Sequence, residues 1–510
     1  MLAIAAICLV LNGKHLGEPP AYIHGWAQAD NYSLALGFLH NGLDPLHPQT
    51  LIYNKQQFDF ITEPSLVTAC DLPLHHYLVA LVMAVTGCRK AWVFRGMTLA
   101  VVIVGLWAFY LMAWLLTRSR ARSLLAAAVV ATSPAFAYYA GGFLPTAPSL
   151  ALAMCAGLAY TLHVQRRSSS ALAASVLLLT LATMQRTSLA VLWVAVAAFQ
   201  LLRVIRREAT LKSSWLPFAA GALVFAVWQV WSAHLRATHG SMFLGSLLPA
   251  RSAGEAMDIF RYVHQRWWFQ YFGRLQHWLF ALLAVALAVT AAMRRVRRVG
   301  QGTSPWWLLA VLAVGEAMFA VAMMRQYHDH DYYFLDSLFV PLALLLVLML
   351  AALPRAERRS ARMAQWVAVA VMAVFMASGA MRSQQWRRTE GLDALQTAIR
   401  YKQANAMLAG LGVDGDARLM TLFSYPQNLP FCMMDREGYA VMWNDSSVVA
   451  HALGFDFDYI IVEDEIYRRE FDSAQYILPR LRRLGGDGEL SLCEVGDSAL
   501  HATADSFFAQ

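Results

Sequence analysis

Residues 24–42 read HGWAQADNYSLALGFLHNG and follow the first apolar segment of the chain. This stretch has apolar residues at helical spacing, Leu34, Phe38 and Leu39, and a single carboxylate, Asp30. Residues three to four apart lie on one helix face, so the sequence predicts a helix here. The simplest role of Asp30 or Asn31 is that of an N-cap, because short polar side chains satisfy the free N–H groups at a helix start.

The chain as a whole has the composition of a membrane protein. Of its 510 residues, 58% are apolar and 15% are charged, whereas soluble domains are roughly 45–50% apolar. The net charge of +8 does not indicate nucleic acid as a partner. The arginines fall in short clusters between apolar segments, a pattern that sets orientation in a membrane.

Apolar segments near the length needed to cross the hydrocarbon core, about 20 residues, predict a polytopic α-helical fold with about eleven transmembrane helices. The predicted spans are residues 1–13, 96–117, 122–140, 146–164, 171–184, 187–203, 214–234, 276–293, 305–323, 334–353 and 362–380. The apolar stretch 72–87 is too short to cross, and it predicts an amphipathic helix at the outer interface.

Clusters of arginine decide the predicted topology. They read TRSRARS, QRRSSS, RVIRREATLK, MRRVRRVG and PRAERRSAR, and all fall on one side of the predicted spans. The positive-inside rule makes that side the cytoplasm. The opposite side then receives a first outer loop, residues 14–95, and the whole C-terminal tail.

The tail differs in character from the spans and predicts a second domain. It has ordinary charge density and short strand-like segments, ARLMTLF and FDYIIVEDE, beside helical ones. We therefore predict a transmembrane domain over residues 1–381, including the first loop, and a small extracytoplasmic α/β domain over residues 382–510.

The first outer loop is rich in acids, and two of them are candidates for catalysis. Its acids are Asp30, Asp44, Asp59, Glu63 and Asp71. We expect Asp30 and Asp71 each to open an interfacial helix. A pair of carboxylates at the boundary between water and lipid supplies a general base and an orienting partner.

The loop resembles the first-loop motif of bacterial GT-C glycosyltransferases, the group of the dolichyl-phosphate-mannose protein mannosyltransferases (glycosyltransferase family 39 and its RgtA/B/C/D-like branch). The matching residues are Trp26, Gln28, Ala29, Asp30 and Tyr32. Three later stretches are similar to this family as well: ACDLPLHHYL, HDHDYYFLDSLFVPLALLL and FSYPQNLPFCMMDREGYAV. Asp71 stands where relatives more often have glutamate.

The resemblance implies a GT-C fold and an inverting transfer of a sugar. The donor would be a polyprenyl-phosphate-linked sugar, and the acceptor a lipid, glycan or protein outside the cytoplasmic membrane of a bacterium. Asp30 would be the general base, and Asp71 would position the acceptor or donor. The acceptor-side residues implied by the loop are Trp26, Gln28, Tyr32, His75 and His76.

A polyprenyl phosphate needs cationic partners, and arginine binds phosphate through two parallel hydrogen bonds. The candidates for binding the donor phosphate or sugar are Arg95, Arg186, Arg325, Tyr327, His328, Asp329, His330 and Tyr332. Arg325 has an alternative role as an interfacial residue. His328 and His330 are also candidate ligands of a divalent metal ion. Adjacent residues on a helix point in different directions, which limits how many side chains of this stretch could bind one ion.

Two other classes of protein stay open at this point. A transporter needs charged residues near mid-membrane, and Glu316 in the stretch AVGEAMFA is the clearest of these. A non-catalytic protein that binds a lipid-linked glycan would keep the fold without needing Asp30.

Overall fold

The computed structural model of the chain describes residues 1–55, 63–293, 295–300 and 302–509. It is mostly helical, with one five-stranded sheet in the C-terminal part. The helices are, in chain order, α1 Leu2–Asn12, α2 Gly25–His40, α3 Leu74–Thr86, α4 Ala91–Thr117, α5 Arg120–Ala131, α6 Pro134–Tyr139, α7 Thr146–Arg166, α8 Ser169–Gln185, α9 Ala190–Ile205, α10 Leu211–His239, α11 Ala253–Arg266, α12 Trp268–Tyr271, α13 Arg274–Ala292, α14 Trp306–Ala322, α15 Gln326–Asp329, α16 Tyr332–Leu335, α17 Phe339–Ala352, α18 Arg359–Arg387, α19 Leu392–Arg400, α20 Ala404–Gly410, α21 Leu429–Met434, α22 Ser446–Ala452, α23 Asp464–Glu470 and α24 Ala504–Phe508. The strands are β1 Leu419–Leu422, β2 Gly438–Val441, β3 Tyr459–Glu463, β4 Leu481–Gly486 and β5 Leu490–Val495.

Long apolar helices make this a multi-pass membrane protein. Within the described residues, six helical segments are long and apolar enough to cross a membrane: Ala91–Thr117, Thr146–Arg166, Thr187–Ile205, Leu211–His239, Arg274–Ala292 and Arg359–Arg387. Shorter apolar helices cover four more of the predicted spans in whole or in part, and these are Leu2–His15, Ser169–Gln185, Trp306–Ala322 and Phe339–Ala352. The stretch 72–87 forms α3, whose 13 residues are too few to cross the hydrocarbon core.

One predicted span is broken in the structure. Residues 122–140 form two helices, α5 and α6, separated by Thr132 and Ser133. Pro134 stands in the first turn of α6, where its missing N–H costs nothing. The Ser133 side chain accepts a hydrogen bond from the N–H of Phe136 and caps the new helix.

By contacts, the chain divides into two compact units. The first consists of Met1–Leu16, Arg95–Val230 and Gly245–Trp386, and the second of Gly17–Phe94, Trp231–Leu244 and Arg387–Gln510. The first loop therefore groups with the tail by contacts, whereas a boundary between residues 381 and 382 stays a prediction of the sequence.

Helices pack around buried apolar side chains in the first unit. Ala156 and Tyr160 of α7 meet Leu172 and Val176 of α8, and Phe199 of α9 joins the same cluster. The short loop between α7 and α8 makes them antiparallel neighbours.

The sheet of the second unit has the strand order β2-β1-β3-β5-β4. Strand β1 runs parallel to β2 and β3, and β5 runs antiparallel to β3 and β4. Strands β1 and β2 are buried along their whole length, as expected for parallel strands covered on both faces. This confirms the small α/β fold predicted for the tail.

The first loop is joined to the edge of this sheet. Ile52 forms a parallel bridge to Gly438 of β2, and the side chain of Asn54 exchanges two hydrogen bonds with the backbone of Ala440, at 2.6 and 2.9 Å. Gly438 is required at this point, because a Cβ there would lie 2.3 Å from the carbonyl oxygen of Leu419 and from the Phe431 ring. Loop and tail thus share one structural unit.

Candidate active site

Asp30 lies in the middle of α2 and does not cap it. The helix begins at Gly25, and its N-cap residue is His24 in a left-handed conformation with φ of 56°. The side-chain amide of Gln28 donates to the carbonyl oxygens of Ala21 and Ile23, both at 3.0 Å. These bonds hold the chain before the helix, which starts six residues earlier than it would with Asp30 as its N-cap. The capping hypothesis is therefore wrong for Asp30 and Asn31.

The Asp30 carboxyl is almost fully enclosed by protein. Its residue is 4% exposed, and its Oδ1 accepts a hydrogen bond of 2.8 Å from the Nδ2 of Asn428. Burial raises the pKa of the Asp30 carboxyl to about 7, and the hydrogen bond from Asn428 opposes this rise. The result is a carboxyl group that exchanges a proton near neutral pH.

The tail encloses α2 with residues that sequence reasoning did not identify. Asn428 immediately precedes α21, and the ring of Tyr425 packs edge-on against Trp26 with centroids 6.0 Å apart. The Cys432 thiol lies 3.7 Å from the carbonyl oxygen of Ala29. All three lie in the stretch FSYPQNLPFCMMDREGYAV, whose family resemblance was the only sequence signal for a role near the loop.

Asp71 and the two histidines that follow it belong to the same unit as Asp30. Asp71 is partly exposed and precedes α3, as predicted, so only Asp71 and not Asp30 stands before a helix. His75 and His76 are buried, and burial lowers their pKa to about 4 and about 3. Neutral His76 donates from Nε2 to the Oδ1 of Asn31 at 2.9 Å, which fixes α3 beside α2 next to Asp30.

Tyr32 also has a protein partner. Its hydroxyl donates to the carbonyl oxygen of Arg89 at 2.5 Å, and its ring packs edge-on against Phe94. Of the acids in the first loop, Asp59 lies outside the described residues. Asp44 is used within the loop, where it accepts from the His47 ring at 2.6 Å.

A cluster of charged side chains joins the end of α2 to the tail. The sequence analysis did not predict this cluster. The Nε2 of His40 donates to Asp435 at 3.0 Å, and its Nδ1 donates to Glu437 at 3.1 Å. Arg89 donates to the other oxygen of Asp435 at 2.8 Å. Each ring nitrogen faces a carboxylate oxygen, and hydrogen bonds to these two acids raise the pKa of His40 to about 9, which favours the protonated ring.

Arg186, one of the arginines predicted to bind the donor phosphate, lies in the first unit between α8 and α9 and is partly exposed. Its Nε donates to the Oδ2 of Asp336 at 2.6 Å, and Asp336 is 1% exposed. The guanidinium lies 5.6 Å from the ring centre of Tyr332 and 5.3 Å from that of Tyr333. The structure therefore brings the predicted residues Arg186 and Tyr332 together. The guanidinium of Arg186 is surrounded by two tyrosine rings and one carboxylate.

The other predicted donor-side residues of the first unit are spread over several contacts. Arg325 pairs with Glu255 at 3.3 Å, and Tyr327 hydrogen-bonds with Ser337. Arg95 donates to the carbonyl oxygen of Gly141 at 3.1 Å. Each of these residues thus has a protein partner, and Tyr327 also packs against Tyr333, with ring centres 6.2 Å apart.

The YHDHDYY stretch forms two short helices, α15 and α16. The Nδ1 of His328 lies 2.6 Å from the Oδ1 of Asp329, and its ring stacks on Tyr262 at 3.9 Å. His330 instead contacts Tyr332, with ring centres 5.4 Å apart. Among the described residues, no group of three or more His, Cys, Asp or Glu side chains is arranged to hold a metal ion.

Comparison with known proteins agrees with this architecture. Residues 68–233 match the family described as dolichyl-phosphate-mannose-protein mannosyltransferase. No curated protein sequence matches the chain significantly.

Solved structures match over nearly the whole chain. ArnT from Cupriavidus metallidurans, in the apo state, is 12% identical with a TM-score of 0.61 and aligns over 96% of this chain and 97% of its own. The same protein bound to undecaprenyl phosphate has the same identity and TM-score over 99% and 98%. The archaeal oligosaccharyltransferase AglB from Archaeoglobus fulgidus, in complex with an inhibitory peptide and a dolichol-phosphate, is 12% identical with a TM-score of 0.52, covering 93% of this chain and 70% of its own.

These similarities define the class of protein: a multi-pass membrane protein with the GT-C fold. The match of residues 68–233 covers about a third of the chain and agrees with a likeness to membrane glycosyltransferases. The GT-C fold that the resemblance of the first-loop motif implied is thereby confirmed.

Proposed function

We propose that this chain is an inverting glycosyltransferase that moves a sugar from a polyprenyl-phosphate-linked donor to an acceptor outside the cytoplasmic membrane of a bacterium. The acceptor is an envelope lipid, a glycan or a protein, and Asp30 is the general base. The multi-pass architecture and the arginine clusters support placement in the inner membrane with the first loop and the tail on the periplasmic side.

The observation that carries this proposal is the environment of Asp30. A general base is most effective when its pKa lies near the working pH, and burial raises the pKa of Asp30 to about 7. An ordinary surface aspartate, with a pKa near 3.9, is a far weaker base. The hydrogen bond from Asn428 occupies Oδ1, and we assign uptake of the proton to Oδ2, with Trp26 as a second side chain that lowers the pKa of the carboxyl.

The proposed step balances without a covalent intermediate. Asp30 accepts the proton of the acceptor group while the acceptor atom bonds to the anomeric carbon of the sugar. The bond between that carbon and the phosphate oxygen breaks, and polyprenyl phosphate leaves with the electron pair. Attack opposite the leaving group inverts the configuration at the sugar carbon.

Arg186 is the proposed partner of the donor phosphate, supported by the rings of Tyr332 and Tyr333. Asp336 holds the guanidinium in place, and bidentate binding to phosphate suits an arginine. Asp71 is proposed to position acceptor or donor, as a partly exposed acid before α3. His328 and His330 are proposed to contact donor sugar or phosphate, with a divalent metal as their alternative ligand.

The remaining acceptor-side candidates already have protein partners, so we assign them a supporting role. Gln28 holds the chain before α2, Tyr32 holds Arg89, and His76 holds Asn31. Together with His75 they keep α2 in the position that buries Asp30. Trp26 lies closer to the carboxyl, one helical turn before it, and remains the acceptor-side candidate.

The test is mass spectrometry of envelope lipids, glycans and the pool of polyprenyl-phosphate sugars in cells. Strains lacking the protein are compared with strains expressing wild type, Asp30→Asn or Asp44→Asn at equal protein levels. Asp44→Asn is the matched control, since it makes the same change in the same loop at a partly exposed acid.

We expect the wild type and Asp44→Asn to attach one sugar to an acceptor. With Asp30→Asn that product should disappear while the lipid-linked donor accumulates. Full product formation by Asp30→Asn would refute the role of the base. Unchanged pools with and without the wild-type protein would favour a transporter or a non-catalytic protein that binds lipid-linked glycans.

A further inference from the structure

Three arginines from separate segments of the first unit meet at the C-terminal end of α17. Arg122, at the start of α5, donates from Nη1 to the carbonyl oxygens of Leu350 and Leu353, at 2.8 and 2.9 Å, and from Nη2 to that of Pro354. The backbone N–H of Arg297 donates to the carbonyl oxygen of Ala352 at 2.9 Å. Arg355 follows Pro354 directly, so three cationic side chains share one helix end.

In the part of the chain that the structure covers, none of these three arginines forms an ion pair with a carboxylate, although Glu357 lies two residues after Arg355. Burial and the charge of Arg355 lower the pKa of Arg297, as expected when like charges meet. The Nη1 of Arg297 is buried and has no hydrogen-bond partner among the described residues. A buried cationic N–H without an acceptor costs free energy, which indicates that an anion belongs there.

Helix capping accounts for only one of the three arginines. Arg122 satisfies the last carbonyl groups of α17, a usual role of a basic side chain at a helix C-terminus. That role leaves Arg355 and the Nη1 of Arg297 unexplained. The N-terminus of α5 adds to the positive potential, because its first turn contains no acidic residue.

We propose that Arg122, Arg297 and Arg355 form a binding site for a phosphate group, supplied by the headgroup of an anionic phospholipid. Arginine presents planar pairs of N–H groups that match phosphate oxygens. The three residues lie in the arginine clusters TRSRARS, MRRVRRVG and PRAERRSAR, on the predicted cytoplasmic side. Basic pockets at that membrane surface bind anionic headgroups.

The test is lipid binding by the purified full-length protein in neutral detergent, followed by native mass spectrometry. Phosphatidylglycerol, phosphatidylcholine and inorganic phosphate are titrated separately. The variant is Arg297→Gln with Arg355→Gln, which spares the capping residue Arg122. The matched control is Arg206→Gln with Arg207→Gln, which removes two exposed charges from another arginine cluster.

We expect the wild type and the control to bind phosphatidylglycerol in preference to phosphatidylcholine. The double variant should bind phosphatidylglycerol about 25-fold more weakly, or about fivefold for each charge removed. If the double variant loses binding of inorganic phosphate but not of phosphatidylglycerol, the three arginines form a phosphate site whose ligand is free phosphate.

Equal binding by the wild type and the Arg297/Arg355 variant would overturn the site. So would an equal loss in the control, because the effect would then be one of net charge. If the double variant does not fold, Arg355→Gln alone gives the answer. Arg355 lies in an exposed loop, and its removal should weaken binding about fivefold.

Discussion

The Nδ2 of Asn428 lies 2.8 Å from the Oδ1 of Asp30, although the two residues are 398 positions apart in the chain. The bond connects the first loop to the tail within one structural unit. A hydrogen bond donated to a carboxylate stabilises its charged form. The tail therefore adjusts the proton affinity of the carboxyl that the loop provides.

Replacing Asn428 should shift the pH dependence of sugar transfer. A base acts in its deprotonated form, so activity should fall as the pH drops below the pKa of Asp30, about 7. In Asn428→Ala the opposing hydrogen bond is lost, and this pKa should rise by about one unit. The acidic limb of the kcat/KM profile should move to higher pH by that amount.

The matched control for this experiment is Asn405→Ala, which removes another side-chain hydrogen bond of the tail, from Asn405 to the carbonyl oxygen of Met434. Its pH profile should coincide with that of the wild type. An unshifted acidic limb in Asn428→Ala would show that Asp30 does not govern the rate.

The charge cluster around His40 should make the second unit less stable in alkaline solution. Its hydrogen bonds to Asp435 and Glu437 raise the pKa of His40 to about 9 in the folded protein, against about 6.5 unfolded. A raised histidine pKa gives stability that is fully present below about pH 6.5 and is lost as the pH rises through 9.

Thermal unfolding of the full chain in detergent, from pH 6 to 10, measures this effect. The melting temperature of the wild type should fall by a few degrees more than that of His40→Gln over this range. His47→Gln is the control, since His47 forms a partly exposed pair with Asp44. Parallel curves for the wild type and His40→Gln would contradict the assignment.

The effects of replacing Arg186 and Asp336 on the stability of the protein should not be additive. Removing one partner of a buried ion pair leaves an uncompensated charge, which costs about 3–5 kcal/mol. Arg186→Leu should therefore unfold at a clearly lower temperature, and Arg186→Leu with Asp336→Leu should recover most of the loss. Transfer activity should not return in the double variant, because no cation remains for the donor phosphate. Recovery of activity would remove Arg186 from the proposed donor site.

Replacing Glu316 should stabilise the protein. Glu316 is fully buried in α14, and within the described residues neither of its carboxylate oxygens has a hydrogen-bond partner. A buried polar group without a partner costs roughly 1–3 kcal/mol, so Glu316→Leu should raise the melting temperature by several degrees. The control is Glu255→Leu, at a partly exposed residue paired with Arg325. A lower melting temperature for Glu316→Leu would mean that its carboxyl has a partner in the membrane.

The apolar segments predicted most of the transmembrane helices because burial in lipid demands length and continuous hydrophobicity. Residues 146–164, for example, lie within the helix Thr146–Arg166. The span 122–140 was mispredicted as one helix because hydropathy does not register the helix start that Ser133 and Pro134 create.

The site was predictable only in part. The motif around Asp30 identified the acid, but the position of Asp30 within α2 depends on Gln28, whose bonds to Ala21 and Ile23 cannot be read from helix periodicity. Asn428 could not be assigned to Asp30, because contacts between distant segments depend on how the loop pairs with the edge of the sheet at Gly438.

Release of polyprenyl phosphate by the purified protein tests the general base most directly, using the donor and acceptor identified in cells. Asp30→Asn keeps the size of the side chain and its place beside Asn428 but cannot take up a proton at neutral pH. We predict that Asp30→Asn binds the donor with unchanged affinity and releases polyprenyl phosphate at least about 100-fold more slowly, within the usual range for loss of a general base. Release at the wild-type rate by Asp30→Asn would contradict the account.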